Sequence, residues 1–117
     1  MVDDSEAGIK IIEKLTKGTN IKVDSANTGK ECLDKIKTNK YDLILLDEEL
    51  SQIKGTELIK KIEDIRNFNT KVILLTKDNN YEYNEEYLKL GFTDYILKPV
   101  KKESLLEIIN KYTKEEK

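Results

Sequence analysis

The sequence contains no histidine, one cysteine and one proline among its 117 residues. Without histidine, the chain lacks the commonest general base and metal ligand of proteins. Cys32 has no partner for an intrachain disulfide and lies on a predicted apolar helix face, so we interpret it as a packed thiol. Any chemistry must therefore use carboxylates, hydroxyls and lysines.

An excess of one charge and long apolar runs are missing as well. The 21 basic and 23 acidic residues leave a formal net charge of −2, so the sequence does not indicate a nucleic acid or a membrane surface as a partner. No apolar run approaches the roughly 20 residues that span a bilayer, and the N-terminus lacks the regions of a signal peptide. We expect a single cytoplasmic domain over residues 1–117.

Helical and strand-like patterns alternate along the chain. Apolar residues recur at helical spacing in residues 5–16, 29–36, 58–65, 87–91 and 105–112. Residues 42–47 and 71–76 each contain an uninterrupted run of four apolar residues, which is typical of interior parallel strands, whereas residues 21–25 alternate like an edge strand. Residues 95–97 indicate a short further strand. This alternation predicts an α/β, doubly wound domain with a mainly parallel sheet.

The first strand is incomplete, because it amounts to Met1, Val2 and Asp3, whereas a strand usually has about five residues. Two explanations remain open. Either the chain has been cut inside this strand, or its sheet is completed unusually, for which a homodimer or a strand exchange is one form.

Acidic, hydroxyl and lysine residues follow the predicted strands. Asp3 and Asp4 come after the first strand, and Asp47, Thr76 and Lys98 after later ones. Because the carboxyl ends of parallel strands meet at one edge of a sheet, these side chains should converge in one crevice. Hard cations such as Mg²⁺ or Mn²⁺ prefer oxygen ligands. We interpret this edge as a site for a divalent cation and a phosphoryl group.

Each residue type has a role in that chemistry. The carboxylate of Asp47 can attack phosphorus and form an acyl phosphate when positive charge neutralises the moving group, which Lys98 can supply. The hydroxyl of Thr76 can donate to a phosphoryl oxygen. A structural alternative exists for each, since Asp3 and Asp4 would also serve as a helix N-cap. Their joint occurrence at strand ends favours the site.

These residues resemble the receiver domains of response regulators in two-component signalling, over the chain from Val2 to the last helix. The residues that carry the similarity are Val2-Asp3-Asp4, the segment from Tyr41 to Asp47, Gly55, Thr76, Asp94-Tyr95 and Lys98-Pro99. The resemblance implies a flavodoxin-like fold with five strands in the order 2-1-3-4-5, five flanking helices and a shortened first strand. It also implies a cis peptide bond before Pro99.

The resemblance implies a set of partners and a metal site. Asp47 would accept a phosphoryl group from a phosphohistidine of a histidine kinase or a histidine phosphotransfer domain. Asp3, Asp4 and Asp47 would hold Mg²⁺ together with the backbone carbonyl of Glu49. Lys98 would contact the phosphoryl group.

A conformational switch is implied as well. Thr76 would contact the phosphoryl group and move, and the aromatic ring of Tyr95 would then change rotamer. Phosphorylation would thereby alter a binding surface made by helix 4, strand 5 and helix 5. No stand-alone enzyme is expected beyond self-catalysed phosphotransfer and slow dephosphorylation.

Several positions depart from the family pattern. Lys77 replaces a usually small residue and could either shield the site or attract anionic phosphodonors, and Glu49 and Asp78 are further candidates to modulate access. Ser51 replaces a usual proline, so the loop after Asp47 is expected to be less rigid.

Two alternatives to a phosphorylated receiver stay open. Lys77, Ser51 and the short first strand favour a degenerate receiver that acts as a phosphorylation-independent interaction or dimerisation module. A phosphatase-type hydrolase is disfavoured, since Glu49 does not match the second carboxylate that such enzymes use. The segment from Lys98 to Val100 favours a hybrid histidine kinase over a regulator as the parent protein, which could itself be anchored in a membrane.

Overall fold

The elements of the fold follow the predicted alternation. The computed structural model describes residues 1–50, 52–66, 68–77 and 86–113. Its helices are α1 (Glu6–Leu15), α2 (Gly29–Thr38), α3 (Gly55–Glu63), α4 (Glu86–Leu90) and α5 (Lys102–Thr113), and its strands are β1 (Ile44–Asp47), β2 (Val72–Thr76) and β3 (Asp94–Leu97). None of these helices has the length and apolar content that crossing a lipid bilayer requires. The predictions for Ser51 and Asp78 lie outside the described residues.

The three strands form one parallel sheet in the order β1-β2-β3. Ile44 lies opposite Val72 in the first pair, and β2 pairs with β3 in the same direction. On the other side of β1, Val2 bridges in parallel both to Leu46 and to Ala26. The five neighbours therefore follow the order 2-1-3-4-5, which confirms the predicted flavodoxin-like fold, with its first two strands reduced to isolated bridges.

The predicted edge strand over residues 21–25 is wrong in its extent, because regular pairing in this region is confined to Ala26. The N–H of Ala26 donates to the carbonyl of Met1 at 2.9 Å, and the N–H of Asp3 donates to the carbonyl of Ala26 at 3.0 Å. In the short first strand, Val2 alone thus forms β-bridges to its neighbours. Residues 21–25 alternate as an edge strand does, but they form no regular strand pairing, and the N-terminal ammonium of Met1 donates to the carbonyl of Asp24 at 3.0 Å.

Both faces of the sheet are covered by helices, so the strands β1 and β2 are buried throughout. Leu46 and Leu74 pack with the buried residues of α2, α3 and α4 on one face. Leu45 and Ile73 pack with α1 and α5 on the other. The continuous apolar runs of the sequence are therefore explained by burial on two sides.

Local features agree with the sequence. Cys32 is buried, and burial raises the pKa of its thiol to about 11, which confirms a packed thiol rather than a reactive one. Ser5 is the N-cap of α1, and its hydroxyl oxygen accepts a hydrogen bond from the N–H of Gly8 at 3.3 Å. The peptide bond between Lys98 and Pro99 is cis, as the resemblance implied.

Candidate functional site

The carboxyl ends of the strands bring four polar residues to one edge of the sheet. Asp47 and Thr76 are the last residues of β1 and β2, Asp3 follows the bridge residue Val2, and Lys98 follows β3. Asp3, Asp47 and Thr76 are 4%, 3% and 1% exposed. Three polar side chains are thus buried at the edge where the sequence predicted a crevice.

Asp47 and Lys98 form the central contact. The ammonium of Lys98 donates to Oδ1 of Asp47 at 2.6 Å, and the side chains are 22% and 5% exposed. The same oxygen accepts a second hydrogen bond from the backbone N–H of Glu49 at 2.9 Å. The two donors fix the carboxylate and place positive charge beside it.

Asp3 is the second buried carboxylate of the site. Its Oδ1 accepts a hydrogen bond from the backbone N–H of Ser5 at 2.9 Å, so the side chain is turned back towards the start of α1. Burial raises the pKa of Asp3, and the charge of Asp47 and a hydrogen bond with it raise the pKa further, against the opposing effects of Ser5 and Lys98. Two carboxylates therefore share one poorly solvated volume, where a cation would relieve their repulsion.

The acidic residues fit a magnesium ion in part. Mg²⁺ in proteins is usually bound by only one or two carboxylates and keeps several waters, so the two neighbouring carboxylates of Asp3 and Asp47 are compatible with such an ion. Asp4 is exposed. Within the described residues, no three histidine, cysteine or acidic side chains are grouped closely enough to hold a metal ion. The metal-ligand roles of Asp3, Asp4, Asp47 and the carbonyl of Glu49 stay predictions.

Two glycines allow close packing against the backbone of Asp47 and the carboxylate of Asp3. A Cβ atom on Gly55 would lie 2.6 Å from the carbonyl oxygen of Asp47, and one on Gly8 would lie 2.0 Å from Oδ2 of Asp3. Both distances are below any real contact, so a larger side chain would displace the site. The family pattern included Gly55. The role of Gly8 was missed, although its place on a helix face soon after Asp3 was a usable signal.

Thr76 is held by a residue that the sequence analysis did not assign. Its hydroxyl donates a hydrogen bond to Oε1 of Glu48, which is half-buried and directly follows Asp47. The signal in the sequence was an acidic side chain immediately after the end of the central strand. Glu48 therefore joins the two strand ends β1 and β2 through side chains.

Lys77 and Glu49, two residues that were predicted to modulate access to the site, form an ion pair. The ammonium of Lys77 lies 3.8 Å from Oε1 of Glu49, and these side chains are 73% and 63% exposed. Exposed ion pairs are worth little, on the order of 0–1 kcal/mol, so the pair can open readily. Lys77 and Glu49 extend from the strand ends that carry Thr76 and Asp47.

Tyr95 lies on the same face of the sheet as Thr76. It is opposite Leu74 in the pairing of β2 with β3, and residues two apart on a strand share a face. Its ring contacts the ring of Tyr87 in α4 edge to face, with centroids 5.1 Å apart. Tyr95 therefore connects the face of the sheet on which Thr76 lies to α4.

The sequence matches a known family along most of its length. Residues 1–110 match the model of the response regulator receiver domain family. The chain belongs to this family. It is thus a receiver domain of two-component signalling, as the residues at the strand ends indicated.

Among curated proteins, similar receiver domains occur in both kinases and regulators. The hybrid signal transduction histidine kinase B of Dictyostelium discoideum is 27% identical over 96% of this chain and 6% of its own length. The transcriptional regulatory protein ZraR of Klebsiella oxytoca is 31% identical over 86% of this chain and 22% of its own length. The receiver domain thus spans a small part of these relatives.

Solved structures share the fold. The receiver domain of Francisella response regulator 1452 superposes with a TM-score of 0.86 at 33% identity, covering 97% of this chain and 93% of that one. A two-component response regulator from Clostridium difficile gives 0.84 at 28% identity, with 95% and 90% covered. The receiver domain of a Pseudomonas aeruginosa sensor histidine kinase, which has magnesium coordinated in its active-site cleft, gives 0.84 at 24% identity, with 97% and 94% covered, and shares the fold.

Proposed function

We propose that this receiver domain accepts a phosphoryl group from a phosphohistidine onto Asp47 and thereby switches a binding surface. The observation that carries this proposal is the buried carboxylate of Asp47, which Lys98 contacts at 2.6 Å while Asp3 lies beside it. A nucleophilic carboxylate, a fixed cation and a second acidic group are the components that phosphoryl transfer to an aspartate needs.

The transfer itself requires little covalent machinery. A carboxylate oxygen of Asp47 forms a bond to phosphorus while the bond between phosphorus and the donor imidazole nitrogen breaks. The electron pair of that bond stays on the imidazole nitrogen. This nitrogen then takes up a proton from solvent, so that the donor histidine leaves in its neutral form. Lys98 holds the carboxylate in place and compensates charge that develops on the phosphoryl oxygens, and Thr76 donates a hydrogen bond to one of them.

A divalent cation completes the proposed site. Asp3, Asp47 and the carbonyl of Glu49 would hold Mg²⁺ or Mn²⁺, with Asp4 as a further ligand. When bound, the cation supplies positive charge against the phosphoryl oxygens and the paired carboxylates. Burial and then the charge of Asp47 raise the pKa of Asp3, which supports this assignment, because negative charge is poorly compensated there.

The proposed output is a change in the surface formed by α4, β3 and α5. Thr76 and Tyr95 share a face of the sheet, and Tyr95 contacts Tyr87 on α4. A movement of the Thr76 hydroxyl towards a phosphoryl oxygen would open space beside Tyr95, and its half-buried ring would turn into that space. The edge-to-face contact with Tyr87 would then break, and α4 would be released.

We further propose that residues 1–117 form one receiver domain, which takes its phosphoryl group from a histidine kinase or a histidine phosphotransfer domain. Curated relatives include both hybrid kinases and regulators, so both kinds of parent protein are compatible with this role. We also propose a homodimer or strand exchange through the short first strand, which light scattering tests directly.

The test is incubation with acetyl phosphate and Mg²⁺, followed by mass spectrometry of the intact chain and its peptides. We expect one phosphoryl group on Asp47, none on Asp47→Asn, and wild-type labelling of Asp42→Asn, whose exposed carboxylate precedes the same strand. An unmodified Asp47 would overturn the proposal and favour the phosphorylation-independent interaction module. Sustained release of inorganic phosphate from a phosphomonoester would instead indicate a hydrolase.

A further inference from the structure

The carboxylate of Glu48 accepts the hydrogen bond of the Thr76 hydroxyl, which in the proposed function donates to a phosphoryl oxygen. We propose that Glu48 is a positioning residue that holds Thr76 in the unphosphorylated arrangement and competes with the phosphoryl group for its hydrogen bond. This inference rests on the proposed function of Asp47. It adds that the side chain of Glu48 controls the rate at which Asp47 is phosphorylated.

The contact is built on a fixed backbone. The N–H of Glu48 donates to the carbonyl of Leu75 at 2.9 Å, and the carbonyl of Glu48 accepts from the N–H of Gly55 at 2.9 Å. The backbone of Glu48 is therefore anchored both to β2 and to the start of α3. From this anchored position its carboxylate accepts the hydrogen bond of Thr76.

The competition follows from the chemistry of the hydroxyl. A threonine hydroxyl has one hydrogen, so donation to a phosphoryl oxygen withdraws it from Glu48. A carboxylate is a strong, charge-assisted acceptor, and Thr76 is 1% exposed, so water competes weakly for this contact. Phosphorylation must therefore break a favourable interaction before Thr76 can move.

The negative charge of Glu48 also opposes the first phosphorylation of Asp47. Glu48 directly follows Asp47, and phosphorylation would replace the single negative charge of the Asp47 carboxylate by the roughly two negative charges of an acyl phosphate. Repulsion would then drive that side chain outwards as Thr76 turns inwards. The contact thus resists the first transfer and, once broken, does not readily re-form while the phosphoryl group is present.

The experiment measures the rate of phosphorylation by acetyl phosphate with Mg²⁺, in which the bond from phosphorus to acetate breaks, the bond to Asp47 forms, and acetate leaves. We expect Glu48→Ala to raise this rate by about tenfold, the factor that one charge-assisted hydrogen bond supplies. Glu48→Gln keeps the shape and an acceptor oxygen and should give a smaller gain. Glu57→Ala removes an exposed negative charge from the first turn of α3 and should leave the rate within about twofold.

A second background separates the hydrogen bond from general electrostatics. In Thr76→Ala, which removes the donor, Glu48→Ala should raise the rate much less, because only the direct effect of the Glu48 charge remains. An equal gain in both backgrounds, or a gain as large in Glu57→Ala, would overturn the inference.

The two proposals fail in different ways. If Asp47 is unmodified in the wild type and in every variant, the proposed function fails and this inference falls with it. If the wild type is phosphorylated and Glu48→Ala is no faster, the inference alone is wrong. Phosphorylation of Glu48→Gln, which preserves the side-chain shape, gives the same comparison if the alanine variant does not fold.

Discussion

The Nζ atom of Lys98 lies 2.6 Å from Oδ1 of Asp47, and this contact joins the ends of β3 and β1 across the intervening strand β2. Each residue compensates the charge of the other at an edge where water is largely excluded. The pair therefore connects the stability of the sheet to the chemistry of the site, and removal of either partner should affect both.

Replacement of Lys98 by methionine should lower the free energy of unfolding by about 2 kcal/mol, because Asp47 would remain buried without its cation. The rate of Asp47 phosphorylation should fall by about a hundredfold. Urea unfolding and the acetyl phosphate assay measure the two effects. Lys102→Met changes an exposed lysine of α5 and should alter neither quantity; equal stability of the two variants would contradict the prediction.

Replacement of Asp3 by asparagine should stabilise the metal-free protein at pH 7. The folded-state pKa of Asp3 is raised above its ordinary value of 3.8, so the stability from its protonated form is present below 3.8 and is lost as pH rises through the folded-state pKa. Asparagine is neutral at every pH and retains that contribution. Urea unfolding in EDTA should show the advantage of Asp3→Asn shrinking as pH falls towards 4, and a less stable variant at pH 7 would refute it.

Replacement of Gly8 by alanine should displace the carboxylate of Asp3, because the new Cβ would lie 2.0 Å from its Oδ2. We expect the affinity for Mg²⁺ to fall by about tenfold or more, as metal sites tolerate little loss of ligand geometry. Calorimetric titration with Mg²⁺ measures this. Gly18→Ala adds a methyl group with nothing within 4 Å, so it should keep wild-type affinity despite the cost of its positive φ of 85°.

Replacement of Tyr112 by phenylalanine should cost about 1 kcal/mol of stability, because its hydroxyl donates to Oδ2 of Asp94 and ties α5 to β3. Burial and then Asp94 raise the pKa of Tyr112 to about 12, so this stabilisation is present below pH 10 and is lost between pH 10 and about pH 12. The stability difference from wild type should vanish over that range. A constant difference would mean that the hydrogen bond is not its cause.

Extension of the chain before Met1 by four β-branched apolar residues should stabilise the sheet. The new residues would enter a groove lined in part by Met1, Ile21, Val23, Leu43 and Leu45, between the two segments that Val2 alone now bridges. After the entropy of ordering them, we expect a gain of about 1–3 kcal/mol in the free energy of unfolding. A glycine-serine extension of equal length is the control. Equal stability of the two, or no added amide protection in residues 22–24, would contradict the prediction.

Residue patterns were sufficient for the fold class and for most of the site. Continuous apolar strands, helical stripes and polar residues at strand ends predicted a parallel α/β sheet, because two-sided burial and strand direction leave a direct trace in the sequence. The set of Asp47, Thr76 and Lys98 was found in this way, and the structure brings these residues to one edge of the sheet. Their roles in phosphoryl transfer stay a prediction.

The extent of strand pairing could not be read from the sequence. Residues 21–25 have the alternation of an edge strand, yet a strand is defined by its partner, and Val2 alone is bridged to both neighbours. Side-chain contacts between separate elements were equally hidden. The hydrogen bond from Thr76 to Glu48, residues 28 positions apart, depends on how two strand ends lie side by side.

The sequence by itself determined which chemical groups stand at the ends of which strands, since local patterns set both the elements and their polar boundaries. Only the tertiary structure decided how these groups interact. In the folded chain, Asp3 and Asp47 are buried side by side. Lys98 forms an ion pair with Asp47, and the hydroxyl of Thr76 donates a hydrogen bond to Glu48. The physical reason is that burial and charge coupling act over a few ångströms in space, and distance along the chain does not specify them.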